Sequence, residues 1–257
     1  MRFLCLHGRG TNSNILEAYL APILSRVPGT HQYDYIDGTA PCKPWPGIEK
    51  LFPGPYFAYH FRHDVDACRL AIDTVKQVIE EDGPYDGVIA FSQGAALAIS
   101  LLVDQAIAES EAPAPTPFKL AIFICSTLPL SPYASWGPDR FAEFEKYEAS
   151  SDATYSLEKP LQYGTVRSIT NSKPTKPIVA CEQARFGHSP IRIPSLHIVG
   201  AKDPWKSASH QAYQLCDPAK AKLYVHSGGH EVPRQTSEVP ICAQMMSTLF
   251  AKWQGSG

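Results

Sequence analysis

Four strand-length runs that are apolar at almost every position constrain this chain most. They are Arg2 to Leu6, Gly87 to Phe91, Leu120 to Cys125 and Ser195 to Val199. A strand with one wet face alternates apolar and polar residues, whereas a parallel strand covered on both faces does not. Two weaker runs, Tyr33 to Ile36 and Lys222 to Val225, bring the expected strands to six. Helical segments lie between them. From Asp64 to Glu81, residues Ala67, Leu70, Ala71, Val75, Val78 and Ile79 recur at three- and four-residue steps, and Gly83-Pro84 ends the pattern. A second helix, expected from Gln93 through Leu102, is apolar almost all round and so belongs in the centre. A last one covers roughly Glu238 to Trp253. Strands alternating with helices predict an α/β fold with a doubly wound, mostly parallel sheet of about six strands.

The 257 residues suit a single domain spanning 1–257. Two segments break the rhythm. Ala40 to Phe57 holds five prolines together with Trp45, Phe52, Tyr56 and Phe57. Residues 131–193 form a long excursion between the fourth and fifth strands, with a helical stretch at 139–149. Its length and position point to a cap over the ligand crevice rather than to passive surface decoration. The prolines at 113, 115 and 117 require a loop over 111–117.

Composition narrows the partners. Apolar residues make up 44% and charged residues 19%, which excludes a disordered chain. A formal net charge of −2 with no basic run argues against nucleic acid or an anionic membrane and favours a small or neutral substrate. The seven cysteines are widely spaced and contain no C-x-x-C pair, so neither a zinc knuckle nor a dithiol redox motif is expected. Reduced thiols in apolar runs, no signal-like N-terminal segment and no stretch near ~20 apolar residues predict a cytoplasmic protein without a membrane span.

The chemistry gathers at three distant places. The first is Ala90-Phe91-Ser92-Gln93-Gly94-Ala95, where an apolar strand runs into Ser92 and a helix leads away. That is the pattern of a nucleophile elbow, G-x-S-x-G, with Ala90 in place of the first glycine. Alone it is weak, because serine is also a favoured helix N-cap. A serine hydroxyl needs a base beside it to act as a nucleophile. His230, in Gly228-Gly229-His230-Glu231-Val232-Pro233 past the last strand, is the candidate. His226 reads as structural, and the glycines between the two histidines argue against a helical metal site. The base needs a carboxylate to hold its tautomer. Asp203, in Gly200-Ala201-Lys202-Asp203-Pro204-Trp205 directly after the fifth strand, is placed for this, although it also suits a turn.

The order Ser92, Asp203, His230 is the α/β-hydrolase order. In such folds two backbone N–H groups stabilise the oxyanion. The residue after the nucleophile, Gln93, and the loop after the first strand, through Arg9, are the candidates. Gly8 and Gly10 allow that loop a close approach. Neither G-x-G-x-x-G nor a Walker lysine is present, so phosphate binding is not favoured. Phe91, Leu128, Trp205 and Val232 are the candidate substrate-pocket residues, with aromatics of the proline-rich loop. No metal or organic cofactor is called for.

These segments, with Leu4-Cys5-Leu6-His7-Gly8 and Phe52-Pro53-Gly54-Pro55-Tyr56, resemble the FSH family of serine hydrolases, best known from fungi, over nearly the whole chain. The resemblance implies an α/β-hydrolase fold, a Ser92–Asp203–His230 triad, and esterase or thioesterase activity. Several members are encoded beside fungal polyketide synthases, which implies a small-molecule or carrier-protein-bound acyl substrate in secondary metabolism. Two rivals stand beside hydrolysis. One is an acyl-serine enzyme that cyclises or lactonises its product. The other is a catalytically dead binding module on the same fold.

Overall fold

The apolar runs pair into one parallel sheet in the computed structural model, which describes residues 1–61, 65–111, 116–127, 129 and 189–254. In chain order its strands are β1 (Arg2–Leu6), β2 (Gln32–Ile36), β5 (Gly87–Phe91), β6 (Leu120–Ile124), β7 (Ser195–Gly200) and β8 (Ala221–His226). Between β2 and β5 lies a small antiparallel pair, β3 (Ala40–Pro41) with β4 (Phe57–Ala58). The order across the large sheet is β2-β1-β5-β6-β7-β8. Every residue of β5, β6 and β7 is buried, whereas the edge strands β2 and β8 are only partly so. Unbroken apolarity in the middle and polarity at the rims follow from helices covering both faces.

The two-residue period of the strands sorts their side chains between two cores. Leu4, Leu6, Val88 and Ala90 pack with α2 (Val65–Asp82) and α3 (Gln93–Glu111). Phe3, Cys5, Ile89 and Phe91 pack on the other face, with α1 (Ser13–Leu24) and α5 (Val239–Gln254). Between β7 and β8 lies α4 (Lys206–Gln214), whose Ala212 joins the first core. The helix α3 is buried along both Ala95–Leu97 and Ala98–Leu102, as its all-round apolarity requires.

The helix α1 falls outside the expected helices. Its signal is present: Asn12 is a side-chain N-cap whose Oδ1 accepts from the Ile15 N–H at 2.9 Å, and Ile15, Leu16, Leu20, Ile23 and Leu24 form the buried face. Within the proline-rich segment, β3, β4 and a 3-10 turn at Ile48–Lys50 are also unassigned by periodicity, being too short to show one. The expected cap at 131–193 lies outside the described residues up to 188. Beyond it, Ile191 bridges Cys216 beside β8.

The chain leaves β1 toward β2 and returns to β5 on the opposite side of β1. Strand order therefore reverses between β1 and β5, and the carboxyl ends of these neighbours open a crevice.

Candidate active site

The elbow follows from β5 meeting α3 with no intervening loop. Ser92 has φ 54, a left-handed conformation that a non-glycine residue adopts only under constraint. The Ser92 N–H continues the sheet by donating to the Ile124 carbonyl at 2.9 Å. Gly94 donates to the His7 carbonyl at 3.1 Å, and a β-carbon on Gly94 would crowd the Leu6 and His7 carbonyls. Gly8 is similarly tight against Phe91 and Ser92. The glycines thus serve close approach of the β1 loop to the elbow.

Three side chains from the ends of β5, β7 and β8 meet there. The Oγ of Ser92 is 2.8 Å from Nε2 of His230. The Nδ1 of His230 is 3.0 Å from both carboxylate oxygens of Asp203. The Asp203 side chain is fully buried and that of His230 nearly so. With Nδ1–H donated to Asp203, Nε2 is left to accept the Ser92 proton. Asp203 is held in turn by the Trp205 N–H, which donates to Oδ1 at 2.7 Å. The His230 ring packs at 5.6 Å from Trp45 and 5.3 Å from Phe91.

The β1 loop is organised by His7, which is fully buried. Its Nε2 accepts from the Gly38 N–H at 2.9 Å, so the ring proton sits on Nδ1, facing the Gly8 carbonyl at 2.7 Å. Burial pushes its pKa below the ordinary imidazole value, which keeps it neutral in that bridge. The elbow is tied down from the other side by Gln93. Its Oε1 accepts from the Tyr59 N–H at 3.0 Å, and its Nε2 donates to the His60 carbonyl at 2.8 Å. Gln93 opens α3, so its own N–H belongs to the first helical turn, where intrahelical acceptors are lacking. Arg9 stands across the crevice on the loop fixed by Gly8 and Gly10 and lines the same cavity as Ser92.

That cavity measures about 270 Å³. Of the expected pocket residues, Phe91 and Val232 line it. Leu128 lies outside the described residues. Trp205 is buried and is not among the described residues that line the cavity; its backbone N–H is bound to Asp203. Tyr19, Trp45, Ile48 and Leu51 line it instead. Trp45 was legible as an aromatic of the proline-rich loop; the others carry no sequence signal of their own. Phe52 packs edge-on against Tyr19 at 5.5 Å rather than facing the cavity.

Cys125 lies beside Asp203 and His230. Its sulfur, an Asp203 oxygen and a His230 nitrogen fall within 4.8 Å of one another, a spacing that a metal ion can bridge. Both His230 nitrogens are already engaged, by Ser92 and by Asp203. Burial, followed by the Asp203 charge, pushes the Cys125 thiol far up, so it is neutral and a poor ligand. Its 3.4 Å contact to the Glu231 carbonyl suits a thiol donor packed against the His230 loop. His226 is buried and accepts from the Gly228 N–H at 3.2 Å; burial lowers its pKa, in keeping with a structural role.

Comparison with known proteins gives a consistent picture. Residues 1–240 match the family model described as serine hydrolase (FSH1). The chain is 34% identical over 237 residues to esterase FPY3 of Fusarium mangiferae, covering 91% of this chain and 89% of that one. It is 27% identical to esterase alnB of Emericella nidulans, covering 93% and 92%. Among solved structures it resembles the monoacylglycerol lipase of Paleococcus ferrophilus, with TM-score 0.55, 12% identity and coverage of 97% and 94%. It also resembles acyl-protein thioesterase 2 of Zea mays, with TM-score 0.51, 18% identity and coverage of 96% and 93%. At such identities these structures bear on the fold, which is that of the α/β-hydrolases.

Proposed function

This chain belongs to the FSH1 family of serine hydrolases and is an ester-hydrolysing enzyme; on that premise we propose that Ser92, His230 and Asp203 carry out acyl transfer through an acyl-serine intermediate. The observation that carries the proposal is the continuous Ser92–His230–Asp203 hydrogen-bonded line, 2.8 Å and 3.0 Å long at its two links. His230 takes the Ser92 proton as the oxygen attacks the acyl carbonyl. The charge that develops on the carbonyl oxygen is met by the N–H groups of Gln93 and Arg9, each such donor contributing ~3 kcal/mol. Protonated His230 then gives its proton to the leaving alkoxide or thiolate, and Asp203 stabilises the imidazolium. Water, deprotonated by His230, attacks the acyl-serine and releases a free acid and Ser92.

The substrate is an acyl ester or thioester of secondary metabolism, free or carried on a carrier protein, as the family resemblance implies. We place the enzyme in the cytosol. Cys5, Cys42, Cys125, Cys216 and Cys242 are free thiols, which supports that placement, and no described helix is long and apolar enough to cross a membrane.

Ser92→Ala tests the proposal. The variant should lose hydrolysis of short acyl esters by several orders of magnitude and lose covalent labelling by a fluorophosphonate, while its melting temperature is unchanged. Retained labelling would remove Ser92 from the nucleophile's role.

A further inference from the structure

The triad accounts for one end of the cavity. The other end is built by the proline-rich segment, through Trp45, Pro46, Gly47, Ile48 and Leu51. Gly47 has φ 87, and nothing lies within 4 Å of where its β-carbon would be, so this stretch borders open space. Ser92 is 6% exposed and Leu51 is 67% exposed. The lining therefore leads from a buried nucleophile to a large apolar side chain left at the surface. A lone exposed leucine is ordinary, but one at the mouth of an apolar cavity marks a ligand path. The charged residues that line this cavity are Arg9, Glu231 and Arg234; Glu231 and Arg234 pair with each other at 2.6 Å, and the Arg9 guanidinium lies over the ring of Phe61, which is outside the lining, at 5.7 Å. With the pair carrying no net charge and Arg9 engaged by Phe61, the lining favours an uncharged guest over an anionic one.

We infer that the wall formed by residues 45–51 is an acyl-binding subsite for a neutral, apolar acyl group of medium size. The inference rests on Ser92 being the nucleophile. A volume of about 270 Å³, at roughly 30 Å³ per water-sized unit, holds an acyl group of about eight to ten non-hydrogen atoms. The wall is fixed rather than loosely draped. The Trp45 N–H donates to the Gly10 carbonyl at 2.9 Å, the Gly10 N–H to the Phe57 carbonyl at 3.0 Å, and the Phe57 N–H to the Thr11 carbonyl at 2.8 Å. The acyl wall and the loop bearing the Arg9 N–H are thus one hydrogen-bonded unit. Trp45 closes the near end against His230, Ile48 lies midway in the segment, and Leu51 sets the exit.

The experiment uses p-nitrophenyl esters from acetate to dodecanoate, plus the p-nitrophenyl hemisuccinate, on the wild type and on Leu51→Glu. Leu51 is exposed, so the substitution leaves the core intact, and a melting curve checks this. In the wild type kcat/KM should rise about fourfold per methylene from acetate to about octanoate and then level off or fall. The hemisuccinate should be at least tenfold poorer than the hexanoate. Leu51→Glu should lower the octanoate-to-acetate ratio of kcat/KM at least tenfold. A flat wild-type series, a preference for hemisuccinate, or an unchanged ratio in Leu51→Glu overturns the subsite while leaving Ser92 as nucleophile. Absence of both hydrolysis and fluorophosphonate labelling overturns the nucleophile and the subsite together.

Discussion

Gly200 and Gly229 lie backbone to backbone, so that a β-carbon on the first would overlap the carbonyl oxygen of the second. This contact sets the spacing between the loop bearing Asp203 and the loop bearing His230. Two further bonds hold it, from Ala201 N to the His226 carbonyl at 2.7 Å and from Lys202 N to the Gly228 carbonyl at 2.9 Å. We predict that Gly200→Ala forces the loops apart. It should cost about 1–3 kcal/mol of stability by overpacking and about 100-fold in kcat by misplacing His230. Urea melts and ester kinetics measure the two effects, and wild-type kcat in the variant would show that the contact is incidental.

Asp203→Asn keeps the shape of the acid but not its charge or its purely accepting character. The amide no longer enforces the Nδ1–H tautomer of His230. The variant is predicted to lose about 10⁴ in kcat. The Trp205 N–H still finds an oxygen acceptor, so little change in melting temperature is expected. A loss below tenfold would take Asp203 out of the reaction.

Gln93 serves the elbow with its side chain as well as its backbone. In Gln93→Leu, the Tyr59 N–H and His60 carbonyl lose their partners in a buried setting. Stranding two such groups is predicted to cost about 2–4 kcal/mol and to lower kcat/KM by loosening the oxyanion donor. The check is a pair of urea midpoints, with kinetics at a temperature where both proteins are folded. An unchanged midpoint would mean that water replaces the lost bonds.

Acid should destabilise the protein through histidines buried in the neutral form. His197 is fully buried against Ser195 and Cys216, and burial lowers its pKa from 6.5 to about 3, with His210 a smaller contributor. Between those values the unfolded chain holds a proton at this position that the folded chain does not. Stability is therefore fully present above about pH 6.5 and falls as pH drops toward 3, by up to about 1.4 kcal/mol per pH unit for this one group. In His197→Gln, the loss in urea midpoint between pH 7.5 and pH 5 should be smaller than in the wild type. An equal loss would place the acid sensitivity elsewhere, with His7 and His226 the next to test because their pKa values are also lowered.

The sheet, and the positions of the three residues that meet at its carboxyl end, are legible because both are written in features that a chain displays locally. Strands buried on both faces have no polar residues to hide, and Ser92, Asp203 and His230 each follow a strand directly. The cavity wall was less legible. Trp45 and Leu51 owe their positions to backbone bonds between the proline-rich segment and Gly10 or Thr11, more than thirty residues apart, and such bonds leave no periodicity. Trp205, an aromatic beside Asp203, is expected in the pocket from its position in sequence; in the structure it is buried and its N–H is bound to Asp203. Asn12 before an apolar face is a readable helix start, its side chain capping the Ile15 N–H.

The bonds from Trp45 to Gly10 and from Phe57 to Thr11 act as two fixed posts. Residues 46–56 span the interval between them, with further ties from the Asn12 side-chain amide to the Pro55 carbonyl at 2.7 Å and from the Phe52 ring to Tyr19 at 5.5 Å. Segments of other lengths and compositions grafted between the posts should yield enzymes that accept different acyl groups while reacting with a fluorophosphonate at the parental rate. Acyl preference can then diversify in this stretch without disturbing the machinery that performs the chemistry.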